Sequence, residues 1–167
     1  MFQLGQMVVY GAHGVCRIVE EEKRIVDRKQ VVYLVLEPVG NNGSRFLVPS
    51  QNAVAMGKLK PILSQEELES LLRADAALTD NWISNEALRK QTYHELIHSA
   101  DRAKLIGMVR SLYRFKAAQT AAGKKCHVSD ENFLRDAEKL LASELSVVMQ
   151  ISFEGARNYL RTQLQSE

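Results

Sequence analysis

The sequence predicts an α+β chain of two small domains, and three observations lead there. Residues 1–60 hold short runs rich in Val, Ile, Leu and Tyr, separated by turn-like stretches. From Ser64 onward the apolar residues recur at helical spacing. The chain has 167 residues, enough for two small domains, and with 46 % apolar and 25 % charged residues its composition is that of a folded globular protein.

The β half is read from QMVVY, GVCRIVE, QVVYLVL and RFLVP, with GAHG, VDRK and GNNG as separators. Gly40–Asn41–Asn42–Gly43 is a hairpin signal, because Gly and Asn tolerate positive φ. Four or five short strands with tight turns in about 60 residues predict a strongly bent SH3/Tudor-like antiparallel β-barrel. A unit of this size has no room for a deep catalytic pocket, and its exposed edge strand suits docking.

Residues 61–80 read as a short helix and a linker. SQEELESLL opens on Ser64 and Glu67, a capping-box spacing, and ADAALTDN lacks an apolar stripe. Residues 81–167 read as a compact all-α domain, bringing the expected total to about five helices. Ser84 is the expected N-cap of the next helix, with Ile83 and Leu88 placed to form a hydrophobic staple. Asp101 caps the following helix, whose stripe is Leu105, Ile106, Val109, Leu112 and Tyr113. Gly123 marks its end. Ser129 is expected to cap the next helix, with Asp130 and Glu131 complementing its dipole, and Ser152 the last.

Charge is distributed unevenly. The net charge is +2, but residues 61–80 carry one cation against five carboxylates, and residues 81–127 carry nine against three. A basic segment therefore opens at Trp82, the only tryptophan, and points to a polyanionic partner as readily as to a solvated helix face. No apolar run approaches the roughly 20 residues of a membrane helix. The start, MFQLGQMVVYG, reads as a first strand rather than a signal peptide. Cys16 and Cys126 form no paired motif, so two ordinary thiols in a reducing cytoplasm are expected.

One stretch has a catalytic look. His94-Glu95-Leu96-Ile97-His98 matches H-E-x-x-H on a predicted helix, the spacing at which zinc hydrolases place two imidazoles on one face and a glutamate beside the metal-bound water. His127 is the one histidine left downstream as a third ligand, and the extended form with glycine is absent. The simpler reading makes His94 and His98 polar residues of a basic helix. No P-loop, G-x-S-x-G or dinucleotide glycine motif is present. The expectation is a non-enzyme without metal or cofactor.

Several stretches in order resemble the CarD/CdnL family of bacterial transcription regulators. They are LGQMVVYGAHGV (4–15), VVYLVLEP (31–38), LVPSQNA (47–53), NWISNEALRK (81–90), SADRAKLIGMVRSLY (99–113) and SDENFLRDAEKLLASELSVVM (129–149). The first part also resembles the RNA-polymerase-interaction domain of transcription-repair coupling factor. The resemblance implies a Tudor-like domain that docks on the β1 lobe of the RNA polymerase β subunit, and a helical domain over promoter DNA at the upstream edge of the bubble. It implies docking through Arg24 and the region of Arg45 and Leu47, where Leu47 stands in place of an arginine found in some relatives. It makes Trp82 a minor-groove wedge, with Arg89, Lys90, Lys124 and Lys125 on phosphates and no sequence reading. ISNEAL separates Trp82 from Arg89-Lys90, where many relatives have paired arginines close behind the tryptophan. The expected outcome is a longer-lived open promoter complex, from a monomer working in the cytoplasm. The alternatives are the zinc hydrolase and a protein-binding adaptor that never touches DNA.

Overall fold

The computed structural model describes residues 2–40, 43–74 and 82–165. The chain divides into two compact units between Ile62 and Leu63.

The first unit is a five-stranded antiparallel sheet built from β1 (Met7–Tyr10), β2 (Val15–Val26), β3 (Lys29–Pro38), β4 (Phe46–Pro49) and β5 (Leu59–Pro61). Their order is β4-β3-β2-β1-β5. A short helix, α1 (Ala53–Gly57), touches both edge strands and is capped by the Asn52 side chain, which accepts from Val54 and Ala55. The sheet is open: β4 and β5 stand at its two edges and do not pair, so the closed barrel expected from the strand runs is not formed. Strand alternation builds the core. Val8, Cys16, Ile18, Leu34, Leu36, Val48 and Leu59 are buried together, with Phe2, Tyr10 and Phe46 packed around them. The VDRK stretch is a two-residue turn, with Asp27 at φ 51° and Arg28 at φ 66°, the left-handed pair that matches strand twist. The expected turn at Asn41–Asn42 lies outside the described residues. The β2–β3 ribbon is longer than the apolar runs suggest, and beyond Glu21 it is largely exposed, Ile25 reaching 81 %.

The second unit holds α2 (Gln65–Arg73), α3 (Glu86–Ser99), α4 (Arg102–Ala121), α5 (Val128–Met149) and α6 (Phe153–Gln165). Helices α4 and α5 are central, each packing on the other four. Ser64 and Glu67 form a reciprocal capping box, and Asp101 accepts from the Lys104 N–H at 3.1 Å. Ser152 Oγ accepts from Gly155 N–H at the start of α6. Two caps differ from expectation. Asn85, not Ser84, caps α3 by accepting from Leu88 N–H at 2.9 Å, because the amide side chain reaches that donor directly. The expected staple is not formed: Leu88 is 53 % exposed. Helix α5 starts at Val128, so Ser129 lies inside it and His127 takes the cap position without a side-chain bond. The acidic linker residues 75–81 lie outside the described residues.

Apolar stripes make most of this core: Leu68, Leu72, Ile97, Leu105, Ile106, Val109, Leu141, Leu145 and Leu160. Charged residues interrupt them. Arg89, Arg102, Arg110, Asp130, Glu138 and Glu144 are all buried. Glu144 lies 3.5 Å from Arg102 and accepts the Leu63 N–H at 3.0 Å, tying the first residue of the unit to α5. Burial holds its carboxyl above the ordinary range despite Arg102.

Candidate nucleic-acid interface

One end of the helical unit collects the start of α3, the last turns of α4 and the start of α5. Trp82 lies here, half-buried. Its ring stacks on Phe115 of α4, centroids 4.0 Å apart and planes 13° from parallel. The Arg89 guanidinium lies over the same ring, 4.7 Å from its centroid. Trp82 is thus neither interior packing nor a free side chain. Phe115 and Arg89 set its plane, and the part still exposed is what a partner can touch.

Arg89 was expected on phosphate; the structure corrects this. Its side chain is 4 % exposed. Nε and Nη2 donate to the two Asp130 oxygens at 2.8 and 2.9 Å, a bidentate fork, and Nη1 donates to the Ile83 carbonyl at 3.0 Å. A guanidinium buried against its own carboxylate, with four of its five N–H groups directed into the fold, does not reach a phosphate at the surface. It clamps the segment carrying Trp82 to the first turn of α5 instead. The helical period shows why: Arg89 lies four residues before Tyr93 and eight before Ile97, all on the buried face of α3.

The remaining expected phosphate contacts are at the surface. Lys90 is exposed and pairs with Glu86 at 3.1 Å, one turn back. Lys124 and Lys125 are exposed in the loop between α4 and α5. His127, two residues on, has its Nδ1 4.0 Å from Glu86, which brings that loop to the start of α3. Phe115 was not singled out from the sequence. Phe115 had a signal, since an aromatic there falls off the stripe ending at Leu112 and Tyr113. Asp130 had been read as a dipole partner only.

On the sheet unit the three expected docking residues share a face. Arg24, Glu22 and Glu20 alternate along β2, and Leu47 opposes Val35, which opposes Glu20. Arg24 donates to Glu22 at 2.7 Å and lies 6.0 Å from the centre of the Tyr33 ring. Arg45 lies 3.0 Å from Glu37 and 4.0 Å from Glu20. Leu47 is half-buried in β4, which pairs on one side only.

The HELIH stretch lies on α3. The His94 and His98 rings are 4.4 Å apart, and His98 Nδ1 is 2.9 Å from the His94 carbonyl. Among the described residues no group of three His, Cys, Asp or Glu side chains could hold a metal. Burial pushes the Cys16 thiol up to about 11, and burial followed by Glu131 raises Cys126, so neither is a thiolate at neutral pH. No helix among the described residues is long and apolar enough to cross a membrane.

A sheet with an open edge strand, joined to a helical unit that orients a partly buried tryptophan at a basic end, defines a two-part binding protein. Residues 2–60 match the family described as CarD-like/TRCF RID domain, and residues 66–161 match the family described as CarD, C-terminal domain. The chain belongs to the CarD family and is a transcription factor of the kind that interacts with RNA polymerase.

Proposed function

We propose that this protein lengthens the life of the open promoter complex without catalysing a reaction. The sheet unit docks on the β1 lobe of the polymerase β subunit through the β4 edge, with Arg24, Arg45 and Leu47 on the contact face. The helical unit sets Trp82 against the minor groove at the upstream edge of the bubble, and Lys90, Lys124 and Lys125 take phosphates. The observation that carries this reading is the held Trp82 ring, stacked on Phe115 and Arg89 beside exposed lysines. An apolar wedge at a base step favours distorted over intact duplex. With both faces of the ring covered, its exposed edge is the wedge, and a bias of about 1.4 kcal/mol is already a tenfold shift in an equilibrium. Phosphate contacts then fix register without reading sequence, which polymerase docking leaves unnecessary.

The test is the lifetime of open complexes with and without the protein, beside capture of the β1 lobe. No capture and no change in lifetime overturn the proposal. A protein-binding adaptor would show capture but no salt-dependent retention on duplex DNA.

A further inference from the structure

A second basic surface lies in a groove of about 790 Å³ among α4, α5 and α6, its Lys116 and Glu131 end one residue along the helices from Phe115 and Asp130. Five cations line it: Lys116 from α4, Arg135 and Lys139 from α5, and Arg157 and Arg161 from α6. Glu131 and Glu138 are the carboxylates. The lining residues thus carry an excess of three positive charges, two once Glu154, the partner of Arg157, is counted. Four-residue spacing on both α5 and α6 places these cations in two rows along the groove. The α6 row, from Phe153 to Gln165, runs for about 18 Å at 1.5 Å per residue.

The site is built rather than incidental. Glu138 is buried at 6 % exposure and takes the Tyr113 hydroxyl on one oxygen, and Arg161 Nε and Nη2 on the other at 3.0 and 2.7 Å. Its charge is thereby matched, and Arg161 is held in one orientation while its side chain stays 43 % exposed. Arg157 is held by Glu154 and by the face of Phe153, 5.9 Å from its ring centre. Arg135 donates to Asn132 Oδ1 at 2.6 Å. Among the described residues Lys116, Arg135 and Lys139 have no carboxylate within ion-pair distance. The unpaired cations Lys116, Arg135 and Lys139, with the N–H groups that Arg157 and Arg161 do not spend on Glu154 and Glu138, are a donor set for phosphate oxygens. Leu134 and the 38 % exposed Phe153 add apolar surface against which a flat ring can lie.

We infer that this groove binds a small anion of the nucleotide class carrying two or more phosphates. Its volume falls in the range of small-molecule sites, and the paired rows suit a charged chain of a few phosphates with a base at the Phe153 end. The inference stands independently of the role of Trp82.

The test titrates the full-length protein with ATP by calorimetry at physiological salt, with sodium tripolyphosphate as competitor. Arg135→Glu/Lys139→Glu is the variant, because both side chains are exposed and the fold does not depend on them. Saturable one-to-one binding, displaced by tripolyphosphate and weakened at least tenfold in the variant, is expected, with duplex DNA retention unchanged. Absence of saturable binding at millimolar ATP, or equal binding by the variant, overturns it. Weaker DNA retention in the variant without nucleotide binding also overturns it, and assigns the groove to DNA.

Discussion

The two units handle charge in opposite ways. In the sheet unit the core cluster is apolar, and the ion pairs Arg24–Glu22 and Arg45–Glu37 are at the surface, their arginines more than half exposed. In the helical unit Arg89–Asp130 and Arg102–Glu144 are inside, every side chain at 7 % exposure or less. Exposed pairs are worth about 0–1 kcal/mol, so the sheet unit can exchange them for pairs with a partner at little cost. Breaking a buried pair by removing one member costs about 3–5 kcal/mol, so those of the helical unit are architecture. The difference teaches which arginines can be functional contacts and which position other residues.

Asp130→Ala should break this contrast most strongly. It leaves the Arg89 guanidinium buried without its carboxylate, and a loss of about 3–5 kcal/mol is expected in the denaturant transition of the helical unit. Asp130→Asn keeps an acceptor and should lose less. A loss below about 1 kcal/mol for Asp130→Ala would place the pair with the surface ones. Trp82→Ala comes next, and on a different axis. The ring keeps part of its surface exposed and the Arg89–Asp130 pair does not depend on it, so the helical unit should stay folded, while open-complex lifetime falls about tenfold, the equivalent of about 1.4 kcal/mol. Phe115→Ala should follow it in lifetime if ring orientation matters. Unfolding of the helical unit by Trp82→Ala would make the ring core.

Glu144 sharpens the comparison through pH. Its folded-state carboxyl is held above the ordinary value, chiefly by burial. Such a group favours folding most below its unfolded pKa, and that contribution is lost as pH rises through the folded value. Stability should therefore rise on acidification through that window, with a slope of at most about 1.4 kcal/mol per pH unit from this group. Glu144→Gln can still accept the Leu63 N–H and should remove this component. Denaturation of both proteins between pH 4 and 8 checks it, and parallel curves would deny Glu144 the role.

Much of this molecule was legible in its sequence, and the losses have particular causes. The β runs, the capping box at Ser64 and the Asp101 cap follow from local chemistry and are found where expected. Sheet closure does not follow from local chemistry. It depends on β4 meeting β5, and α1 fills the chain between them instead, a helix too short to leave a period. Trp82 was legible as a residue of interest because it is unique and opens the basic segment. Its stacking partner is 33 residues on, and the anchor of Arg89 is 41 residues on, so neither spacing could announce them. Arg89 shows the general difficulty. In sequence it reads as one more cation of a basic stretch, and only the buried face of α3 turns it inward.

The smallest effect on folding, and the clearest opposite to Asp130→Ala, belongs to Arg24→Glu. Arg24 sits on the exposed β2–β3 ribbon, and its partner Glu22 is two residues away on the same strand face, so the pair holds no long-range structure together. Charge reversal sets two carboxylates side by side in water and should leave the stability of the sheet unit nearly unchanged. At a docked interface the same reversal meets a partner surface chosen for a cation, where like-charge placement costs several kcal/mol. Capture of the β1 lobe should thus weaken at least tenfold while the melting curve stays in place. Equal capture by the variant would remove Arg24 from the contact face and leave Arg45 and Leu47, along the β4 edge, to account for docking. A shifted melting curve would mean that the ribbon is built into the fold more firmly than its exposure implies.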